Sequence, residues 1–256
     1  MKKNNTLSMN PNFFLSMGVF LVIFAAVHFL FAGVVRPAAE QVMTNSGTAG
    51  LSSFWVILKD IEQQFCISLM FFCIFLMVYK LWSLLDEEEI YERDLLPEHD
   101  KSTTLDVDAA IKELETSAFS GTPAYKTWIS CLRRFKNTNN VQNAADAIES
   151  SVEKIATQLE SGNNVIRYII WAIPSIGFVG TVRGIGAALA QADVALEGDI
   201  AGMTASLGVA FNSTLVALFI SLVLMLLMHL LNGRQDKMVL RTQESCETLL
   251  LSHLHN

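Results

Sequence analysis

Apolar residues are gathered into four long runs, at 13–35, 65–85, 165–190 and about 203–231. The first run carries no charge, and as an α-helix rising 1.5 Å per residue it would measure roughly 34 Å, enough to cross a bilayer. A secretory signal peptide is the alternative for this run, but the apolar part of a signal is only about 7–15 residues long. The pattern therefore predicts an all-α, polytopic helical membrane protein with four transmembrane helices.

The polar segment between the second and third runs has a helical pattern of its own. Thr104 is suited to cap a helix that ends near Thr116, and Pro123 to open a second helix that ends near Phe135. Apolar residues then follow at steps of four and three, in the order Val141, Ala145, Ile148, Val152, Ile155 and Leu159. This heptad-like seam predicts either a long helix that continues into the membrane or an amphipathic helix packed on the preceding hairpin.

These elements divide the chain into six predicted segments. They are an N-terminal transmembrane helix (1–35), a periplasmic loop (36–52), a second transmembrane helix that opens with an interfacial turn (53–85), a cytoplasmic helical insert (86–163), the third and fourth transmembrane helices (164–232) and a cytoplasmic tail (233–256). Lys and Arg concentrate in the termini and the insert, whereas the two loops on the other side carry only Arg36. By the positive-inside rule, both termini and the insert are expected in the cytoplasm.

The composition fits a membrane protein and excludes several other classes. Hydrophobic residues make up 52% of the chain and charged residues 17%, against about a quarter charged in soluble domains. The net charge of −7 argues against nucleic acid as a partner. The four cysteines form no CxxC pair and no Cys/His cluster, so we expect neither a disulfide framework nor a metal site.

Small and hydroxyl-bearing residues form a stripe on each of the last two predicted spans. In the third span, Pro174, Gly177, Thr181, Gly184 and Ala188 share one quadrant of the helical wheel, and Gly180 makes a GxxxG spacing with Gly184. In the fourth span the stripe comprises Ser206, Ala210, Ser213, Thr214, Ala217 and Ser221. Such stripes suit helix packing, and two of them on consecutive helices also suit the wall of a polar pore. Neither span carries Asp, Glu or His near its middle, so a carboxylate for ion relay would come from a partner.

The motif P-x-x-G-x-x-G-T-V-x-G from Pro174 to Gly184, together with A-F-N-S-T-L-V-A-L at 210–218, resembles the MotA/TolQ/ExbB proton-channel family. The resemblance implies a motor stator subunit in the bacterial inner membrane that conducts H⁺ or Na⁺, uses no cofactor and couples ion motive force to mechanical work in the cell envelope. It also implies a homopentamer around two copies of a single-span protein with a membrane Asp, and it places Thr181 and Thr214 on the lumen. The helix at 13–35 is extra relative to the three-span members, and a flagellar, MotA-type stator is an alternative.

The predicted roles fall into three groups. The ion pathway is expected to be lined by Thr181, Thr214, Ser213, Ser206, Ser221, Ala210 and Gly177. Helix packing or a kink is expected at Pro174, Gly180, Gly184 and Ala188. Arg183, Asp60 and Glu62 form the group of structural charges. Arg183 stands where the family usually has an apolar or aromatic residue, and we expect it to tie the third span to an acidic residue at the head of the second. Snorkelling of Arg183 to the interface is the alternative.

Two other function classes compete with the ion-conducting subunit. A non-conducting membrane scaffold would use both stripes for packing alone and would be indifferent to ion gradients. An intramembrane hydrolase would need a base beside its nucleophile, yet neither Ser213 nor Thr214 has a His or Lys within helical reach in its span. We therefore expect that the protein is not an enzyme.

Overall fold

The computed structural model describes residues 9–46, 50, 53–91, 106–117 and 119–249. Every regular element among these residues is a helix, which confirms the predicted all-α class. In chain order the elements are α1 (Phe13–Leu30), a π-helical turn (Phe31–Val35), α2 (Arg36–Ser46), α3 (Phe54–Leu58), α4 (Ile61–Tyr91), α5 (Val107–Thr116), α6 (Pro123–Thr138), α7 (Val141–Gly162), α8 (Asn164–Leu189), α9 (Ala192–Leu196) and α10 (Ala201–Leu249). Four stretches are long and apolar enough to cross a membrane, namely Phe13–Ser46, Ile61–Leu85, Val141–Leu189 and Ala201–Thr248.

The first helix is longer than its apolar run. It continues through the π-helical turn into α2, so most of the loop predicted at 36–52 is helical, as far as Ser46. The wider turn lies just before Pro37, which has no N–H and whose ring would collide with the carbonyl of Gly33 in a regular α-helix. The residues that follow, such as Ala38 and Ala39, are strong helix formers. The apolar run therefore ends where the sequence stops being suited to the membrane, but the helix continues past that point.

The start of the first helix of the insert differs from prediction, and the predicted tail is mostly helical. Thr104 lies outside the described residues, and α5 is capped by Asp106, whose Oδ1 accepts hydrogen bonds from the backbone N–H groups of Asp108 (3.1 Å) and Ala109 (3.2 Å). The tail predicted at 233–256 is helical as far as Leu249. Its buried residues recur every three or four positions, at Gln235, Met238, Thr242 and Cys246. This periodicity keeps one face of the helix packed after the sequence has become polar.

The chain packs as two compact units. The insert unit comprises Met1–Asn10, Val78–Asn164 and His229–Asn256, and the span unit comprises Pro11–Met77 and Val165–Met228.

The insert unit has a hydrophobic core built around α6. Trp128, Cys131 and Leu132 are fully buried there against residues of α7 such as Ile148 and Val152. Trp128 Nε1 donates a hydrogen bond to Ser245 Oγ at 3.1 Å, which satisfies the indole N–H inside the core. Burial raises the pKa of the Cys131 thiol to about 11, so this thiol stays protonated at neutral pH. In α7 the buried residues are Ala144, Ile148, Val152, Ile155, Leu159 and Gly162, so Ala144 takes the place predicted for Ala145.

The span unit is held together by close contacts between its helices. The buried residues Val27, Phe31 and Val35 pack with Ile23, Leu58 and Ile67. Cys66 of α4 lies with its Sγ 3.7 Å from the carbonyl of Ile173 in α8. These contacts bring α1, α4 and α8 together and set the frame for the stripe residues of α8 and α10.

Candidate functional site

The glycines of α8 allow α10 to approach at backbone distance. A Cβ added at Gly184 would lie 2.6 Å from the Cβ of Ala210 and 2.8 Å from its Cα. A Cβ at Gly180 would lie 2.7 Å from both the Cβ and the Oγ of Ser213. Separations below 3 Å leave no space for any larger residue. The small-residue stripes of α8 and α10 therefore face each other, and the helices pack as membrane helices with small interfaces do.

Thr181 and Thr214 meet inside this crossing. Thr181 Oγ1 donates to the carbonyl of Ala210 at 3.0 Å, and Thr214 Oγ1 donates to the carbonyl of Gly177 at 3.2 Å. The two hydroxyls are also within hydrogen-bond distance of each other. Each hydroxyl carries one proton and has two lone pairs, so either threonine can act as donor to the other. Both side chains are half-buried, and the pair can therefore reverse its hydrogen bonds without leaving its place.

The other residues predicted to line the pathway divide by burial. Ser206 is half-buried, and its Oγ accepts a hydrogen bond from Gln191 Nε2 at 2.9 Å. Ser213, Ser221, Ala210 and Gly177 are buried inside the single subunit. The visible contacts of these four are contacts between α8, α10 and α4. A lumen-lining role for the group stays a prediction, and Thr181, Thr214 and Ser206 are the members that retain exposed surface.

Pro174 interrupts the hydrogen bonding of α8, and Ser221 restores part of it. A proline has no N–H, so the carbonyl four residues earlier loses its helical donor. That carbonyl belongs to Ile170, and Ser221 Oγ of α10 donates to it at 3.0 Å. Gly180, Gly184 and Ala188, the other residues predicted for packing, are all buried in α8. In this structure Ser221 thus has a specific structural task.

Arg183 is paired with the acidic residues that begin α4. Its Nε donates to Glu62 Oε1 at 2.7 Å and its Nη2 donates to Glu62 Oε2 at 2.9 Å, a bidentate arrangement. Asp60 Oδ1 is further away, 3.6 Å from Nη2. The Arg183 side chain is 53% exposed and the Glu62 side chain 8%. Arg183 therefore joins α8 to α4 through a half-exposed guanidinium and a buried carboxylate.

Burial perturbs Asp60 more than its charged neighbours do. Desolvation raises the pKa of its carboxyl above the ordinary value of 3.8, and Glu62 also raises it. The cations of Lys59 and Arg183 lower the pKa, and they do not offset the effect of burial. This carboxyl binds a proton more tightly in the folded chain than an exposed aspartate does.

Two buried glutamines beside these acids were missed by the sequence analysis. Gln63 Nε2 donates to the carbonyl of Ile57 at 3.0 Å and to Ser213 Oγ at 3.3 Å. Gln64 accepts from Arg36 Nη2 at 3.2 Å through Oε1, and its Nε2 is 3.1 Å from Nδ1 of His28. The signal was the run of polar residues at 60 and 62–64 before a purely apolar stretch. Such a run can mark an interface, but here it builds a buried network at the start of a span.

Within the part of the chain that the structure describes, no group of three His, Cys, Asp or Glu side chains is placed to hold a metal ion.

The model of the MotA/TolQ/ExbB proton channel family matches residues 116–244, from the end of α5 into α10. The match includes the whole α8–α10 crossing and both threonines. No curated protein and no solved structure matches the chain.

Proposed function

The chain belongs to the MotA/TolQ/ExbB proton channel family, and from this premise we propose that it is the ion-conducting stator subunit of an inner-membrane motor. In this proposal the subunit forms a homopentamer, carries H⁺ or Na⁺, and couples ion motive force to mechanical work in the cell envelope. The family is one of transport subunits and not of enzymes. The four apolar stretches make the chain a multi-pass membrane protein, and the distribution of Lys and Arg supports cytoplasmic termini.

The observation that carries the proposal is the hydroxyl pair of Thr181 and Thr214. An ion that has shed water needs oxygen ligands or a hydrogen-bonded partner, and hydroxyls and backbone carbonyls supply both. The crossing of α8 and α10 brings two hydroxyls and the carbonyls of Gly177 and Ala210 together. The pair keeps exposed surface, so it can serve a pathway at the face of the subunit.

The absence of carboxylates from these spans supports a partner protein. Residues 164–189 and 201–228 contain no Asp, Glu or His. A proton relay across a membrane normally depends on a titratable side chain inside it. We propose that two copies of a single-span protein supply a membrane Asp at the centre of the pentamer, facing the hydroxyl pair.

The proposal is tested with Thr181→Val and Thr214→Val, which keep the shape and remove the hydroxyl. Thr204→Val is the matched control, because Thr204 is exposed on the same helix as Thr214 and donates only to the carbonyl of Ile200 one turn earlier, at 2.9 Å. Each variant is purified with its partner through a tag on this chain and reconstituted in liposomes. Ion entry is driven by a potassium diffusion potential in sodium and in choline buffer, with an entrapped pH dye to follow H⁺ and an entrapped sodium dye to follow Na⁺.

We expect Thr181→Val and Thr214→Val, called the stripe variants below, to abolish most ion entry, while Thr204→Val conducts normally. Assembly should persist, because a hydrogen bond between membrane helices contributes only about 0.6 kcal/mol on average. Mass photometry of the same samples should give the mass of a pentamer with its partner. Normal conduction by both stripe variants would return the hydroxyls to a packing role and favour the non-conducting scaffold. A partner that carries a flagellar-type periplasmic domain would favour the MotA-type stator.

A further inference from the structure

Hydrogen-bond acceptors accumulate where α4 begins. The carbonyl of Asp60 accepts the N–H of Gln64 at 3.2 Å, which makes Asp60 the N-cap residue of α4. The short helix α3 ends at Leu58, just before it, and the carbonyl of Ile57 in its last turn accepts a hydrogen bond from Gln63 Nε2 at 3.0 Å. The side chains of Asp60 and Gln63 add further oxygens there. One guanidinium, that of Arg183, serves this cluster, and Glu62 takes both of its short hydrogen bonds.

Two of these acceptors are buried without a partner. Asp60 Oδ2 and Gln63 Oε1 have no hydrogen bond within the described part of the chain, and both atoms are shielded from solvent. The orientation of the Gln63 amide is fixed by chemistry, because its other terminal atom contacts the carbonyl of Ile57, which can only accept. Gln63 is 1% exposed, so bulk water does not reach its free oxygen. The nearby ammonium of Lys59 lies 3.2 Å from the sulfur of Met43.

We propose that Asp60 is a proton-binding site in which one proton satisfies both buried acceptors. The Asp60 side chain as a whole is 16% exposed, so a hydronium ion at the end of α4 where Asp60 lies gives its proton to this carboxyl and leaves as water. Rotation of the carboxyl then places the protonated oxygen in the buried position of Oδ2. The new O–H then donates to Gln63 Oε1. Asp60 and Gln63 are the N-cap and N3 residues of α4, the two positions whose groups hydrogen-bond to each other in a capping box.

Burial and charge favour this protonated form. Desolvation of the carboxylate raises the pKa of Asp60, and the negative charge of Glu62 acts in the same direction. Lys59 and Arg183 are the cations that face the carboxyl and oppose the rise. Glu62 accepts both short hydrogen bonds of Arg183, whereas Asp60 Oδ2 has no partner among the described residues, which makes Oδ2 the position where a proton gains a new hydrogen bond.

The site is joined to the hydroxyl face through one side chain. Gln63 Nε2 donates to Ser213 Oγ, and Ser213 is the neighbour of Thr214 along α10. The amide that would accept a hydrogen bond from the Asp60 O–H therefore also donates to a hydroxyl of the α8–α10 crossing. A role for Asp60 in loading protons onto the conduction path rests on the proposed function, whereas proton binding itself does not.

The test is infrared difference spectroscopy of the full chain in liposomes during a pH titration. A protonated carboxyl has a C=O band separate from the bands of carboxylates and amides. We expect a band whose titration midpoint lies above that of the exposed carboxyls. The band should be lost in Asp60→Asn and kept in Asp193→Asn, a matched change at an exposed residue of α9. In Gln63→Met the band should move to higher wavenumber, because the carboxyl loses its acceptor while the protein keeps Asp60.

In the pH titration itself, any of three results would overturn the assignment: no such band, a band that survives Asp60→Asn, or a band unmoved by Gln63→Met. Loss of the band on addition of Na⁺ at constant pH would also overturn it, because the occupant would then be a metal cation. Failure here is distinguishable from failure of the proposed function. If the threonine variants stop ion entry but the band is absent, only the Asp60 site is wrong. If the band behaves as expected but the threonine variants conduct normally, the proton site stands and the conduction proposal does not.

Discussion

Gly184→Ala tests the geometry of the α8–α10 crossing with the smallest possible addition. The new methyl group would lie 2.6 Å from the Cβ of Ala210, 2.8 Å from its Cα and 3.0 Å from its nitrogen. Two of these three atoms belong to the backbone of α10, so a change of rotamer cannot relieve the contact. The helices would have to separate, and the hydrogen bond from Thr181 to the carbonyl of Ala210 would lengthen with them.

The change in the free energy of unfolding combines a cost from overpacking with a gain in helix propensity. Overpacking of a tight interior typically costs about 1–3 kcal/mol. Replacing a helical glycine with alanine gains up to about 1 kcal/mol in water. Gly186→Ala isolates the second term, because nothing lies within 4 Å of a Cβ added at Gly186 in the same helix. The difference between the two variants should therefore be about 1–3 kcal/mol in the free energy of unfolding.

The four buried cysteines make the measurement direct. Cys66, Cys73, Cys131 and Cys246 are all free and buried, so a thiol-reactive fluorogenic dye reports their exposure as the protein is heated in detergent. At about 2–4 °C per kcal/mol for a chain of this size, Gly184→Ala should unfold roughly 2–12 °C below Gly186→Ala. Both variants are heated at one fixed rate, because membrane proteins commonly unfold irreversibly. Equal midpoints for the two alanine variants would refute the close approach of α8 and α10 at Ala210.

Three further outcomes are expected. Arg183→Gln and Glu62→Gln should each lower the unfolding midpoint, and the double variant should lose less than the sum, with a coupling of about 0.5–3 kcal/mol; additive losses would contradict the ion pair. Trp128→Phe should cost about 1 kcal/mol beyond its lost volume in denaturant unfolding, because Ser245 Oγ loses its donor, and no loss would contradict that bond. Because burial raises the pKa of Asp60, the native state gains stability from its proton below pH 3.8, and this gain is lost as pH rises through the folded pKa. Asp60→Asn should therefore be more stable than the natural chain at neutral pH by intrinsic tryptophan fluorescence, with the advantage vanishing in acid; a stability difference independent of pH would contradict the shifted carboxyl.

Helical periodicity predicted the parts of the site that depend on one helix at a time. A rotation of 100° per residue puts Gly177, Thr181 and Gly184 on one side of α8, and the structure buries or half-buries all three against α10. Depth along the spans also indicated acidic candidates for Arg183. The choice of Glu62 over Asp60 as the bidentate partner depends on the rotation of α4 about its axis and on side-chain rotamers. The spacing of residues along one chain contains neither quantity.

Other features could not be predicted because they arise from neighbouring helices. Gln63 and Gln64 carry no charge and stand next to an apolar run, so the sequence predicts that they lie at the membrane–water interface. Only the packing of α3, α4 and α10 shows that Gln63 is buried, with two hydrogen bonds from its Nε2 and an Oε1 that has no partner among the described residues. The helix at 36–46 was missed for a different reason, since its polar composition hides a good local helix propensity after the π-helical turn at Phe31–Val35.

The hydroxyls at the α8–α10 crossing fall into two groups, those that hold the packed helices together and those that keep exposed surface. Ser221 donates to the carbonyl that Pro174 leaves without a helical donor, and Ser213 holds the amide of Gln63. Removing either hydroxyl would leave a buried polar group without that hydrogen bond, so a loss of function in such a variant could follow from a loss of structure. Thr181 and Thr214 have alternative acceptors for each proton and keep exposed surface. When valine replaces one threonine, the hydroxyl of the other still has a backbone carbonyl to donate to. Variants at these two positions therefore test conduction without disturbing assembly.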